Sequence, residues 1–211
     1  MFLFYSLPAA ALSVAIEVHP NKLCYRGKDE VIAAAVAVLS DAGNAVTVVT
    51  GADLSTPKGI GTYDVIVFGA GSYGCPWDWL EFDDQLVDYV ANGGGLVTTG
   101  WVSYYAKDDI QDEIYPGLVA VLPIEPSVDF TEDNTVNILN KHPITDGVVD
   151  FDNPTYSSYG SLKKGAVALT QEDGVDTSAA WTYKKGRSVY LGPIYLADWT
   201  NYENEALLDG S

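Results

Sequence analysis

Short apolar runs rich in β-branched residues, each followed by a segment of helical periodicity or a glycine-rich turn, recur through the first hundred residues of this chain. The runs are Val14 to Val18, Ala45 to Thr50, Asp64 to Phe68 and Leu96 to Thr99. Between them, Lys28 to Ala42 places Val31, Ala35, Val38, Leu39 and Ala42 on one helical stripe that Gly43 ends. Trp77 to Val90 repeats the pattern with Leu80, Leu86, Val87 and Val90, interrupted once by Asp83, and Asn92-Gly93-Gly94-Gly95 terminates it. Strands apolar on both faces need cover on both faces. The pattern therefore predicts a parallel sheet with right-handed crossovers and helices on either side.

The rhythm changes after Trp101. Leu118 to Ile124, Val136 to Leu139, Ala166 to Gln171, Ser178 to Tyr183 and Ser188 to Leu191 read as short strands, with a hairpin turn at Tyr183-Lys184-Lys185-Gly186-Arg187. An antiparallel extension followed by a final core strand at Ser188 to Leu191 is the expectation. The chain of 211 residues is long enough for one core, so residues 14–211 are read as a single domain, truncated at its C-terminus. Residues 1–13 are read as a degenerate signal or disordered start. That stretch is too short to span a bilayer, and it lacks the positive charge of a secretory signal. An exported and a cytoplasmic location are equally compatible with it.

Charge excludes some partners. The chain has 29 acidic residues against 11 Lys and Arg, a formal net charge of −18. Nucleic acid and anionic membranes would be repelled. The acidic pairs match no calcium-loop spacing, and Cys24 and Cys75 sit in no zinc or Cys-x-x-Cys spacing, so neither metal nor cofactor is expected. Gly69-Ala70-Gly71-Ser72-Tyr73-Gly74 spells a dinucleotide fingerprint, but it follows the third strand, and no carboxylate stands in the region around Thr98-Thr99-Gly100 to hold a ribose. It reads as a turning loop.

Tyr63 to Phe68, Leu86 to Val97 with its Asn-Gly-Gly-Gly turn, His142-Pro143-Ile144-Thr145-Asp146-Gly147 and Gly186-Arg187-Ser188-Val189-Tyr190-Leu191-Gly192 together resemble the class I glutamine amidotransferase-like superfamily, nearest its trehalose-utilisation (ThuA-like) branch. The resemblance spans roughly residues 14–200. It implies a flavodoxin-like, mostly parallel sheet with helices on both faces and the antiparallel extension already described. It also implies a cysteine nucleophile in a G-x-C-x-G elbow after the fourth strand and a His-Pro-Glu after the last core strand. Thiolate, proton shuttle and orienting carboxylate are all needed for amide transfer. Here the elbow reads Gly100-Trp101-Val102-Ser103-Tyr104 and the late element Leu191-Gly192-Pro193-Ile194. Val102, Gly192 and Ile194 stand where the triad would be, so no glutamine amidotransferase activity is expected.

In flavodoxin-like strand order, His19 and Cys24 after the first strand and Cys75 after the third converge near Trp101 and Ser103, at the carboxyl edge where open α/β sheets bind ligands. Tyr73, Tyr104 and Tyr195 add rings suited to sugar faces and other amphipathic ligands. These eight residues form the expected site for a small polar ligand, with carbohydrate as the favoured class. Ser103, Cys75, His142 and Asp198 are weaker catalytic candidates, of which Cys75, His142 and Asp198 would serve a first alternative, an enzyme acting on a sugar derivative; a second alternative is an interaction module of a larger exported protein. Cys24 and Cys75 are expected to be two buried unreactive thiols, with a disulfide between them, or a reactive thiol or metal site, as the alternatives, and His142 is expected to hold a structural turn. Oligomeric state is not legible.

Overall fold

The computed structural model describes residues 11–18, 29–70, 80–107 and 115–193. In the first half, β1 (Ser13–Glu17), β2 (Ala45–Val49), β3 (Val65–Ala70) and β4 (Gly95–Gly100) all run parallel. They alternate with α1 (Asp29–Asp41), the one-turn helices α2 (Gly51–Leu54) and α3 (Pro57–Ile60), and α4 (Asp83–Ala91). The segment between β2 and β3 thus carries two helical turns. After β4 come α5 (Val102–Lys107), α6 (Pro116–Val121), β5 (Ile124–Glu125), β6 (Phe130–Ile138), β7 (Phe151–Ser158), β8 (Ser161–Leu162), β9 (Val167–Glu172), β10 (Val175–Tyr183) and β11 (Gly186–Leu191). Nine of these strands form one mixed sheet in the order β2-β1-β3-β4-β11-β10-β9-β6-β7, while β5 and β8 pair separately. The last described strand, β11, inserts parallel to β4 and antiparallel to β10, joining the two halves.

Strand alternation builds two cores. Ala15, Ile66, Phe68, Leu96 and Tyr190 face one side with Leu86 and Val90 of α4 and Leu118 of α6. Val14, Ile16, Val67, Val97 and Leu191 face the other, with Ala35 and Leu39 of α1. Side chains two apart share a face, so each of the parallel strands β1 to β4 feeds both layers, as a doubly covered sheet requires.

Leu118 to Ile124 is a correction: the expected strand is α6, followed by only two strand residues. Its β-branched run suggests a strand, but Pro116 suits the first helical turn, and the carboxylate of Asp83 accepts the N–H groups of Gly117 (2.9 Å) and Leu118 (2.7 Å). Asp83 is buried between α4 and α6, and burial pushes its pKa up while these two N–H bonds pull it down. The break in the α4 stripe is therefore the cap of another helix. Asp83→Ala is expected to cost about 2 kcal/mol by leaving two buried N–H groups unsatisfied, read as a lower denaturation midpoint at pH 7.

Candidate active site and the carboxyl edge

At its carboxyl end β4 passes into α5 with almost no loop. Gly100 adopts φ +68°, the left-handed region that glycine enters without penalty, Trp101 makes the turn, and the helix begins at Val102. The elbow is held from beneath. The Ser158 hydroxyl donates to the Gly100 carbonyl at 2.8 Å, and the Tyr190 hydroxyl lies 3.1 Å from that carbonyl and 2.8 Å from the carbonyl of Ser158. Burial pushes the Tyr190 phenol upward, so it stays a neutral donor. The Gly100 N–H donates to Pro193 at 3.2 Å, tying the elbow to the chain just past β11.

Val102 is wholly buried in the first core. Ser103 is equally buried, and its hydroxyl accepts the Ser127 N–H at 3.1 Å while facing the carbonyls of Tyr159 (3.3 Å) and Ser127 (3.4 Å). That hydroxyl anchors the β5–β6 loop. Gly192 is confined: a Cβ there would stand 2.3 Å from the Thr177 carbonyl oxygen and 2.9 Å from that of Ser158.

His142 lies elsewhere. Its Nδ1 accepts the Ile144 N–H at 3.3 Å and its own N–H donates to Thr145 Oγ1 at 3.1 Å, opening the 3₁₀ turn Pro143–Thr145. This turn follows the far end of β6. The near end of that strand, at Phe130, touches Trp101, and nine residues of strand span about 27 Å. Ser103 and His142 are thus not brought together.

Trp101 and Tyr104 do meet, edge to face with centroids 5.4 Å apart. Sequence reasoning missed the rest of this cluster. Phe130 and Tyr156 lie 5.6 and 5.5 Å from the Trp101 ring and 5.6 Å from each other. Phe130 and Val128 are exposed, leaving an apolar rim beside the elbow. The sequence separates these rings widely, and only the antiparallel pairing of Phe130 with Ser158 brings β6 and β7 beside Trp101.

Glu17 was also missed. It closes β1 at the same sheet edge, is buried, and its carboxyl is pushed up to about 8, first by burial and then by the charge of Glu81. An acid ending a run of Val, Ala and Ile was the available signal. His19, Cys24, Tyr73, Cys75, Tyr195 and Asp198, with the proposed disulfide and Ile194, lie outside the described residues. Among the described residues no three His, Cys, Asp or Glu side chains group to hold a metal ion, and no helix is long and apolar enough to cross a membrane.

The parallel strands, the abrupt strand-to-helix elbow after β4 and the central β11 define an α/β fold with one large mixed sheet. Solved structures share it. A cytoplasmic protein of Salmonella typhimurium is similar at 15% identity and TM-score 0.69, with 94% of this chain and 95% of that one covered. A ThuA-like protein from Bacteroides uniformis is similar at 18% identity and TM-score 0.65, covering 98% and 93%. A protein described as a GMP synthase subunit, from Thermoplasma acidophilum, is similar at 11% identity and TM-score 0.56, covering 95% and 92%. No curated protein matches the sequence. Residues 27–206 match the model of the domain of unknown function DUF7408, and the chain belongs to that family.

Proposed function

We propose that this chain is a ligand-binding domain on an amidotransferase-like scaffold, taking a small polar ligand, with carbohydrate as the favoured class, at the carboxyl edge around Trp101. The observation that carries this reading is the pairing of a chemically silent elbow with an aromatic cluster beside it. Val102 is sealed in the core, while Trp101, Tyr104, Phe130 and Tyr156 gather at the surface. Rings of this kind offer apolar faces to sugar C–H groups, and the Tyr104 and Tyr156 hydroxyls offer polar handles. His19, Cys24, Tyr73, Cys75, Ser103 and Tyr195 complete the proposed surroundings of the ligand, with Ser103 fixing the adjoining loop.

Two measurements test the reading. Purified protein is expected to release no ammonia from glutamine, and a rate abolished by Cys75→Ala would overturn the absence of amidotransferase chemistry. Titration with mono- and disaccharides is expected to change tryptophan fluorescence saturably for at least one sugar, and Trp101→Ala to weaken that binding about tenfold. A flat response across the panel, with Trp101→Ala indistinguishable from the parent, would remove the sugar site. Exposed Val128 and Phe130 on the same rim favour one second reading, an interaction module. A protein partner would cover Val128, which is not one of the rings, so Val128→Ser would weaken capture of a partner while leaving sugar binding largely intact.

A further inference from the structure

The large sheet ends in β2 on one side and β7 on the other. An edge strand presents unpaired backbone N–H and C=O groups, and proteins blunt such edges with charge, proline or a bulge. β7 has all three: Asp152 and Pro154 lie within it, and its register with β6 shifts between Glu132 and Asn134. β2 has none. Its sequence, Ala45-Val46-Thr47-Val48-Val49, contains no charge and no proline, and its parallel register with β1 runs unbroken from Ser13 opposite Ala45 to Glu17 opposite Val49.

The bonds to β1 fix which way each backbone group of β2 points. The Ala45 N–H donates to the Leu12 carbonyl and the Val49 carbonyl accepts the Val18 N–H, each at 2.8 Å. Backbone groups alternate sides along a strand, so Ala45, Thr47 and Val49 bond β1, while the N–H and C=O of Val46 and Val48 point outward. Among the described residues no strand pairs with that side. Thr47 and Val48 are exposed, Val48 at 45%. Ala35 and Leu39 of α1 share a core with Val46, and α1 carries no charge from Ile32 to Ser40, although Ala33, Ala37 and Ser40 are exposed. In a chain with 29 acidic residues, strand and helix thus make one uncharged patch.

We propose that β2 is a dimerisation edge, pairing antiparallel with β2 of a second copy about a two-fold axis at Thr47. The edge is self-complementary. With the two Thr47 residues opposite each other, Val46 of each copy faces Val48 of the other as a hydrogen-bonded pair, and all four outward groups of each strand are satisfied. The valines meet on one face and the threonines on the other, both favourable cross-strand pairs. Charge also selects a second copy. Two chains of net charge −18 repel over most of their surface and can meet only where charge is absent, whereas a basic partner would be drawn to the acidic surface instead. The strand is about 17 Å long and the sheet and helix layers together about 20 Å deep, a contact on the order of 350 Å² per copy. That is less than half of a standard interface, so the dimer is weak and reversible, with a Kd on the order of 100 μM. It is independent of the ligand site read at Trp101.

Sedimentation equilibrium of the full chain from about 5 to 500 μM, in about 0.2 M salt to screen repulsion, tests the pairing. A monomer–dimer equilibrium is expected, weakened at least tenfold by Val48→Lys with the circular dichroism unchanged, and unaffected by Val128→Ser or Trp101→Ala. Lysine lowers the net negative charge, so its disruption of the dimer would locate the contact rather than report general repulsion. Cross-linking gives the register. In a chain with Cys24→Ser and Cys75→Ser, oxidised Thr47→Cys is expected to form a covalent dimer, because Cα atoms of such a non-hydrogen-bonded pair lie about 4.5 Å apart, within disulfide reach. Leu139→Cys, similarly exposed on β6's side of the sheet, should not. A chain that stays monomeric at about 500 μM, or a dimer that survives Val48→Lys, would overturn the assignment.

Discussion

Glu17→Gln is expected to stabilise the protein increasingly as pH rises from 5 to 8, by about 4 kcal/mol at the upper end. The Glu17 carboxyl is raised from 4.5 to about 8 because it is buried at the end of β1 and faces the charge of Glu81. A group raised on folding holds its proton in the folded state where the unfolded chain has lost it. Its favourable contribution is complete below about 4.5 and disappears as pH climbs through about 8, each pH unit being worth about 1.36 kcal/mol. The wild type should therefore lose stability across this window faster than the glutamine variant does. Urea denaturation at half-unit pH steps reads the difference directly, and parallel curves for the two proteins would contradict it. Because the comparison is between variants, the repulsion among the other carboxylates is common to both.

Gly192→Ala is expected to destabilise by about 3 kcal/mol, and Gly192→His by more. The added Cβ would stand 2.3 Å from a backbone oxygen of β10 and 2.9 Å from one of β7, and backbone in the middle of a sheet has nowhere to go. Relief requires β11 to shift. That would stretch the bonds from Tyr190 and Pro193 to Gly100, so the elbow should loosen with it. Denaturation midpoints and hydrogen exchange at the amide of Gly100 check both parts. A near-neutral Gly192→Ala would mean that the chain can accommodate a side chain at the histidine position. Grafting the amidotransferase residues as Val102→Cys with Gly192→His is accordingly expected to give an unstable protein and no glutaminase.

The parallel half of the fold was legible because its rule is local. Each strand is a short apolar run, each helix a stripe, and the expected Val14 to Val18 and Leu96 to Thr99 fall within a residue of β1 and β4. What failed depended on distant partners. Leu118 to Val121 reads as strand until Asp83, more than thirty residues earlier, caps it as helix. Phe130 and Tyr156 were invisible as site residues because the register of β6 on β7 is not written in either strand. Gly192 was readable as a glycine, but its confinement by the Thr177 carbonyl belongs to a neighbouring strand. Glu17 was readable and was passed over, since an acid at a strand end looks like the start of a loop until its burial is known.

The position of β11 in the sheet constrains how the chain is made. The last described strand occupies a central place, so during synthesis β4 and β10 must wait with open backbone edges until Gly186–Leu191 has left the ribosome. Closing that slot joins segments about ninety residues apart, a high-contact-order step that favours slow folding. The half-made sheet meanwhile offers two bare edges to any neighbouring nascent chain. A dense negative charge, costly to the finished molecule, would keep such intermediates apart, which gives the acidity of this protein a role before the fold is complete.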